Sequence, residues 1–169
     1  MLPLNSPDWA KFDTYSGSGD ELPSRLSAWK KAVGTTDEEG EWGWLRDQFL
    51  CQSTIKNSAI VIVPHICTIL PATPATSRNR YAIDLGQVHM AWREKPIPFV
   101  PVDLVASYES SVVSIRAWAC ECLTRPADAM EFRYLLSACT ALCDHASLGK
   151  FLFSFNLPSS DYPDLSGYL

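Results

Sequence analysis

Apolar residues recur at intervals of three and four along most of this chain, the spacing that places them on one face of an α-helix. Five segments carry the pattern, and the longest predicted helix runs from about residue 101 to 123. The predicted buried faces are Leu22, Leu26, Trp29 and Val33; Trp42, Leu45 and Phe49; Tyr81, Leu85, Val88 and Trp92; Leu104, Tyr108, Val112, Ile115, Ala119 and Cys122; and Phe132, Leu135, Leu136, Cys139, Leu142 and Cys143.

Capping residues indicate where several of these helices begin. Ser6 before a proline predicts a short helix near the start of the chain. Thr36 is a candidate cap for the helix that carries the first acidic cluster. Asp128 and Glu131 have the spacing of a reciprocal capping box, and Ser147 is a candidate cap for a last helix.

Residues 58–70 are ambiguous. Their apolar residues fit a helical face, yet the β-branched run at 60–63 is also typical of a buried strand. Pro64 disturbs both structures and does not decide between them. Helical patterns on both sides favour a kinked, deeply buried helix.

Seven or eight helices with short connections predict an all-α fold. We expect one domain over residues 1–157, followed by a mobile or surface-wrapped tail at 158–169. This pattern fits either a short solenoid of antiparallel helical hairpins or a compact irregular helical bundle and does not choose between them. No strand–turn–strand pattern is apparent in the sequence.

Charge narrows the class of partner. The chain of 169 residues carries a formal net charge of -5. Nucleic acid binding requires a surplus of Lys and Arg on at least one face, so this balance argues against it. Between Asp8 and Asp47, nine acidic residues stand against five basic ones. This acidic region fits either a basic protein partner or an ordinary solvated surface.

Cysteine use and hydropathy predict a cytoplasmic protein. The six cysteines mostly occupy apolar periodic segments, which is typical of reduced, buried thiols. No export signal is apparent, and the longest apolar run, residues 59–70, is too short to span a bilayer. We therefore expect no membrane partner.

Two sets of residues are candidates for chemistry. Cys51 with His65 resembles a thiol nucleophile and its base, although a buried thiol and a hydrogen-bonded histidine explain the same residues. Cys139, Cys143 and His145 have a spacing that can hold zinc, and Cys120 or Cys122 are candidates to complete the ligand set. Small buried residues on an apolar helix face are the ordinary interpretation of these cysteines. We predict no metal and no cofactor.

A polar cluster at residues 52–54, with Asn57 and Ser58, separates two apolar segments. Such a cluster either caps the following helix or binds a ligand. Just before it, Trp42 and Trp44 flank Gly43 and cannot share a helix face. One of the two tryptophans is therefore a candidate exposed anchor for a partner.

The first 90 residues contain a characteristic order of segments. A segment with tryptophan and tyrosine precedes a helix with a polar end, and a Val-Pro-His helix follows. The residues that carry this order are Trp9, Tyr15, Pro23, Leu45, Gln52, Ser53, Thr54, Ser58, Ala59, Val63, Pro64 and His65. In these residues the chain resembles a family of largely uncharacterised bacterial HEAT-like proteins. The resemblance implies antiparallel helical hairpins stacked as a short HEAT-like solenoid, with a compact irregular helical bundle as the alternative. Because similar genes lie beside secreted toxins, it also implies an immunity role.

The function expected from these observations is a non-enzymatic protein-binding domain, an immunity protein that binds and neutralises a bacterial toxin. An enzyme or small-molecule binder that uses Cys51/His65 or the late cysteines is the alternative. Acidic side chains steer association with a basic partner. The predicted contact residues are Asp37, Glu38, Glu39 and Glu41, with Trp42 or Trp44 as the aromatic anchor.

Overall fold

The computed structural model describes residues 1–95, 97 and 99–155, and this part of the chain is mostly helical. The predicted tail, 158–169, lies outside the described residues. Short 3-10 helices at Pro7–Lys11, Gly19–Glu21 and Leu70–Ala72 connect longer elements. The α-helices within the described ranges are α1 (Leu22–Ala32), α2 (Glu38–Phe49), α3 (Ser58–Ile69), α4 (Ala75–Glu94), α5 (Val102–Cys122), α6 (Ala129–Leu142) and α7 (Ala146–Ser154).

Two very short antiparallel hairpins interrupt the helices. Strand β1 (Asp13–Thr14) pairs with β2 (Gly17–Ser18), and β3 (Leu50–Cys51) pairs with β4 (Thr54–Ile55). The expectation that the chain has no strand–turn–strand element is therefore wrong in detail. Strands of two residues are too short to produce the alternation of apolar and polar residues from which strands are predicted.

Helix α3 lies at the centre of the core. Ten of its twelve residues are buried, and the chain stays helical through Pro64. The strand interpretation of this segment is therefore wrong and the helix is confirmed. Burial against α1 and α5 on its flanks provides the packing that offsets the hydrogen bond lost at the proline. Within the described residues, none of the helices combines the length and apolarity needed to cross a bilayer.

Helix α5 confirms the periodic pattern most fully. All six residues predicted for its inner face are buried, from Leu104 at the start to Cys122 at the end. The face is continuous because α3, α4 and α6 all pack against α5. A spacing of three and four predicts buried residues best when other helices cover one whole side of the helix.

One half of the predicted capping box at the start of α6 is present, since the backbone N–H of Glu131 donates to the Asp128 carboxylate at 2.7 Å. The reciprocal bond to the N–H of Asp128 is not formed, because the Glu131 carboxylate accepts the backbone N–H of Ala127 instead. Part of the predicted inner face is wrong, since Cys143 follows the last turn and is exposed. Phe132 is only half-buried.

Other predicted caps have mixed outcomes. Ser6 accepts the backbone N–H of Asp8 at 3.2 Å and begins a 3-10 helix, as predicted. Thr36 caps nothing, because α2 begins at Glu38 after Asp37. Ser147 lies inside α7, which follows His145. The residues that do precede these two helices, Asp37 and His145, make no side-chain capping bond.

Two glycines allow the later helices to approach closely. A Cβ atom on Gly86 of α4 would lie 2.3 Å from the Cβ of Ala138 in α6. A Cβ atom on Gly149 of α7 would lie 2.8 Å from the carbonyl oxygen of Ser137. Helix α6 is thereby held between α4 and α7 at backbone contact distance.

We expect Gly86→Ala to destabilise the protein. Alanine in a helix normally gains about 1 kcal/mol over glycine. Here the added methyl group overlaps Ala138, and overpacking of this kind costs on the order of 1–3 kcal/mol. Gly40→Ala in α2 is the matched control, because nothing lies within 4 Å of its added Cβ. Urea unfolding measures both, and equal stability of the two variants would contradict the close α4–α6 contact.

Candidate protein-binding surface

The structure divides the acidic segment that the sequence predicts as one contact face. Asp37 and Glu39 are exposed at the start of α2, and Glu41 is half-buried. Glu39 forms an ion pair with Arg80 of α4, with Nη1 and Oε1 2.5 Å apart. Glu38 points inward and is only 5% exposed. Asp37, Glu39 and Glu41 therefore remain available to a partner, whereas Glu38 does not.

Glu38 is held in the interior by hydrogen bonds from other elements. Its Oε2 accepts the backbone N–H of Gly34 at 2.6 Å, and its Oε1 accepts the hydroxyl of Tyr81. The indole of Trp29 in turn donates to the Tyr81 oxygen at 3.4 Å. Burial raises the pKa of Glu38, but these hydrogen bonds outweigh it and hold the pKa below its usual value. The predicted role of Glu38 as a surface contact is therefore corrected to a structural one.

Trp42 is likewise a core residue. Its side chain is fully buried, and its ring centroid lies 4.9 Å from that of Trp29. It cannot serve as an exposed anchor in this fold. Trp44 is half-buried, and the guanidinium of Arg25 lies 3.8 Å from its ring centroid. Of the two predicted anchors, only Trp44 reaches the surface.

The indole of Trp42 is satisfied by a second buried carboxylate. Its Nε1 donates to Oδ2 of Asp84 in α4 at 2.7 Å. Burial raises the pKa of Asp84, while this hydrogen bond and the charge of Arg46, 3.9 Å away, act in the opposite direction. Two acidic side chains thus lie inside the helical core, each with a donor from an aromatic residue.

The residues of the predicted nucleophile–base pair have separate surroundings. Cys51 is exposed on the β3–β4 hairpin. His65 lies within α3 and donates from Nε2 to the carbonyl oxygen of Leu2 at 2.8 Å. Burial lowers the pKa of His65, and this hydrogen bond opposes the shift. The imidazole therefore anchors the first residues of the chain to α3.

The late cysteines are divided between core and surface, with Cys122 and Cys139 buried and Cys120 and Cys143 exposed. Cys139 is buried, and burial together with the neighbouring thiol of Cys120 raises its pKa to about 12. Cys143 is exposed. The described part of the chain contains no group of three or more His, Cys, Asp and Glu side chains that could hold a metal ion. The predicted alternative based on Cys139, Cys143 and His145 thus has no assembled ligand set among these residues.

A buried histidine that the sequence analysis did not single out links α4 to α5. His89 is fully buried, with Nδ1 3.1 Å from the hydroxyl of Tyr108. Its Nε2 accepts the Nε–H of Arg93 at 3.3 Å, which requires the neutral ring with its proton on Nδ1. Burial first, and then the charge of Arg93, lower the pKa of His89 to about 4.

The polar cluster at residues 52–54 forms the turn of the β3–β4 hairpin. Gln52 and Ser53 both have positive φ angles, 46° and 61°, which close a two-residue turn without glycine. Thr54 donates to the carbonyl oxygen of Cys51 at 2.7 Å and also bonds the hydroxyl of Tyr15. The cluster therefore joins the two hairpins. The predicted cap of the following helix is wrong, because Asn57 makes no side-chain capping bond at the start of α3 and accepts the backbone N–H of Asp13 instead.

The same turn forms one wall of a groove with a volume of about 890 Å³. Helices α4 and α7 form the other walls, and an ion pair between Glu94 and Lys150 connects them. Apolar side chains predominate on the inner surface. The groove is lined by Gln52, Ser53, Thr54, Ile55, Gln87, Met90, Ala91, Glu94, Lys95, Ile97, Lys150, Phe153 and Ser154.

Helix α7 also carries an exposed apolar strip, which we define as Leu148, Phe151 and Phe155. These residues are 51%, 56% and 40% exposed, and the rings of Phe151 and Phe155 lie 5.3 Å apart. The face of α7 that packs on α6 is a different one, with Gly149 at the contact. In the sequence, the spacing of the strip is that of a core face, so periodicity alone does not identify it as surface.

Comparisons with known proteins yield no relative. No family model matches the chain, and searches of curated proteins and of solved structures give no significant match. The resemblance to bacterial HEAT-like proteins therefore stays a prediction from the residues that carry it.

The buried position of Glu38 predicts a difference between adjacent glutamates. We expect Glu38→Gln to destabilise the protein by about 1–3 kcal/mol, since it removes a charged acceptor of two buried hydrogen bonds. Glu39→Gln is the matched control, and loss of its exposed ion pair costs about 0–1 kcal/mol. Urea unfolding at pH 7 measures both. A Glu38→Gln variant as stable as the control would contradict the buried network.

The low pKa of His89 predicts a loss of stability in mild acid. The folded ring stays neutral down to about pH 4, whereas the unfolded ring binds a proton near pH 6.5, so stability falls as the pH is lowered through this window. The expected contribution of His89 is a loss of about 2 kcal/mol between pH 7 and pH 5. Unfolding free energies at these two pH values are compared for wild type and His89→Gln. If the unfolding free energy falls by the same amount between pH 7 and pH 5 in both proteins, the low pKa of His89 is contradicted.

Proposed function

We propose that this chain is a non-enzymatic protein-binding domain and, more specifically, an immunity protein that binds and neutralises a bacterial toxin in the cytoplasm. The observation that carries protein binding is the exposed apolar strip of α7, formed by Leu148, Phe151 and Phe155. The toxin as partner comes from the resemblance of the first 90 residues.

The strip has the composition expected of an interface centre. Contiguous exposed apolar residues on soluble proteins mark sites of association, and aromatic side chains are enriched in the buried core of interfaces. Phe151 and Phe155 contact each other and present their rings to solvent. Covering two such rings removes a large apolar area from water, which favours association.

The groove extends the binding surface from the same helix. Lys150 and Phe153 of α7 line it, and Phe153 packs against Tyr134 of α6 with ring centroids 5.0 Å apart. Gln52 and Gln87 also line the groove, and their amide groups both donate and accept hydrogen bonds. An apolar surface that also offers amide groups suits a protein segment that inserts from a partner.

The acidic residues at the start of α2 have a supporting role in this proposal. Asp37, Glu39 and Glu41 remain at or near the surface, with Trp44 beside them. Charges at a rim mainly accelerate the encounter with a basic partner, and buried apolar anchors mainly slow dissociation. The two surfaces therefore predict different kinetic effects.

Stacking of the helical hairpins as a HEAT-like solenoid belongs to the same proposal. Sequence neighbours pack together, as in α1 with α2, α5 with α6, and α6 with α7. Helices two positions apart also pack, as in α3 with α5 and α4 with α6. Stacked hairpins produce both kinds of contact. Helix α4 also packs on α7, three helices along the chain, as helices of an irregular bundle do.

Co-expression with the product of the neighbouring gene tests the proposal. We expect the two proteins to co-purify and the complex to abolish the toxicity of the neighbour. In binding kinetics, Leu148→Ser with Phe151→Ser should raise the dissociation rate at least tenfold, because it removes the apolar anchor. Asp37→Lys with Glu39→Lys should lower the association rate and flatten its dependence on salt.

Val113→Ser in α5 is the matched control, since Val113 is an apolar residue with 57% exposure outside both surfaces. Thermal unfolding of each variant shows that the fold is retained. A harmless neighbour that does not co-purify would refute the immunity role. A complex whose kinetics are unchanged by the α7 substitutions would refute the assignment of the surface.

A further inference from the structure

Helix α7 has fewer buried residues than any other α-helix in the described ranges. Of its nine residues only Gly149 is buried, whereas ten of the twelve residues of α3 are. Leu148 and Phe151 are exposed, and Leu152 and Phe153 are half-buried. Because most of the stability of a helix in a protein comes from packing of its apolar face, α7 is held less tightly than the helices around it.

The one buried residue of α7 contributes backbone contact and no side chain. The carbonyl oxygen of Gly149 accepts the hydroxyl of Ser137 in α6 at 2.6 Å. A Cβ atom on Gly149 would lie 2.9 Å from the Cβ of Ala141, so the two helices meet closely at this point. The contact determines where α7 docks on α6, but it removes little apolar area from water.

Two ion pairs at the surface connect α7 and its preceding turn to α4. Asp144 in the turn pairs with Arg93 of α4, with Oδ1 and Nη2 3.0 Å apart. Within the helix, Lys150 pairs with Glu94 of α4, with Nζ and Oε1 2.5 Å apart. All four side chains are accessible to water, which screens the attraction between the charges. These pairs orient α7 and contribute little to its stability.

The turn between α6 and α7 is built for movement of the helix that follows it. It consists of Cys143, Asp144 and His145, and all three residues are exposed. Asp144 has a φ angle of 65°, a left-handed conformation that is uncommon for residues other than glycine. A change of backbone angles in this turn displaces α7 without disturbing the buried face of α6.

We propose that α7 undocks from α4 and α6 as a separate unit while α1–α6 stay folded, and that undocking opens the groove. Lys150, Phe153 and Ser154 of α7 line the groove, so undocking removes one of its walls. Regions with few buried apolar contacts open at a free energy well below that of global unfolding. A helix of nine residues is too short to persist alone in water, so undocked α7 loses its helical structure.

The consequence for binding is that a partner segment enters the groove while α7 is displaced and is covered when α7 docks again. This consequence rests on the proposed function. The undocking itself is a property of the chain alone and is measured without a partner. Failure of one is therefore distinguishable from failure of the other.

Native-state hydrogen exchange of the full chain, followed amide by amide at low urea concentrations, tests the undocking. We expect the amides of residues 150–154 to share one opening free energy and to exchange about a hundredfold or more faster than the slowest amides of α3 and α5. Equal protection of α7 and α3 would overturn the proposal. Exchange that becomes gradually faster along α7, with no shared opening free energy, would indicate fraying of a helix end and would also overturn it.

Alanine substitutions at two glycines distinguish a separate unit from an integral helix. Gly149→Ala places a methyl group against α6 and should speed exchange in α7 about tenfold or more, with α3 and α5 changed by less than about twofold. Gly86→Ala is the matched control, because it overpacks the contact between α4 and α6 and should speed exchange throughout α1–α6. An equal acceleration of α3, α5 and α7 by Gly149→Ala would contradict a separate unit.

Asp144→Asn provides a milder variant for the case that Gly149→Ala fails to fold. Asparagine adopts the left-handed conformation as readily as aspartate, so the substitution removes only the ion pair with Arg93. We expect exchange in α7 to rise by up to about fivefold. Lys11→Gln, which removes an exposed ion pair with Asp8 far from α7 in the sequence, is the control. Equal exchange of α7 in these two variants would contradict the contribution of the turn to docking.

Discussion

The burial of two carboxylates among aromatic side chains is the constraint on which the first half of the structure depends. Glu38 accepts the Tyr81 hydroxyl, and Asp84 accepts the Trp42 indole. An acidic group in the interior without donors would cost several kcal/mol, so these bonds determine where α2 can sit on α4. The backbone N–H of Gly34 adds the end of α1 to the same network.

This network also determines which residues reach the surface. Glu38 and Trp42 are neighbours on the inner side of α2, whereas Asp37 and Glu39 remain outside. A helix that begins with several acidic residues normally places them all in solvent, where they interact favourably with the helix dipole. Here Glu38 is buried and accepts hydrogen bonds within the core, so fewer acidic side chains remain at the surface.

Local signals predicted the parts of the fold that depend on neighbouring residues. The inner face of α5 and the cap formed by Asp128 could be predicted, because spacing and capping operate within a few residues. The position of Glu38 could not, since its partner Tyr81 lies 43 residues further along the chain. The short β3–β4 hairpin was missed for a different reason, namely that two residues per strand carry no periodic pattern.

The candidate binding surface could not be predicted from local sequence signals either. The strip of Leu148, Phe151 and Phe155 has the spacing of a core face, and only the packing of α7 shows that its buried side is the one with Gly149. The groove joins the β3–β4 turn to α4 and α7, which are far apart in sequence. Periodicity therefore predicts that a face is apolar, whereas tertiary packing decides whether that face is core or interface.

Hydrogen–deuterium exchange of the chain alone and in complex with the neighbouring gene product shows whether the partner covers the apolar strip of α7 or the acidic start of α2. We expect new protection in α7 and in the adjoining part of α4, with a smaller change at the start of α2. Protection confined to α2, with exchange in α7 unchanged, would contradict the assignment of the apolar strip as the main binding surface.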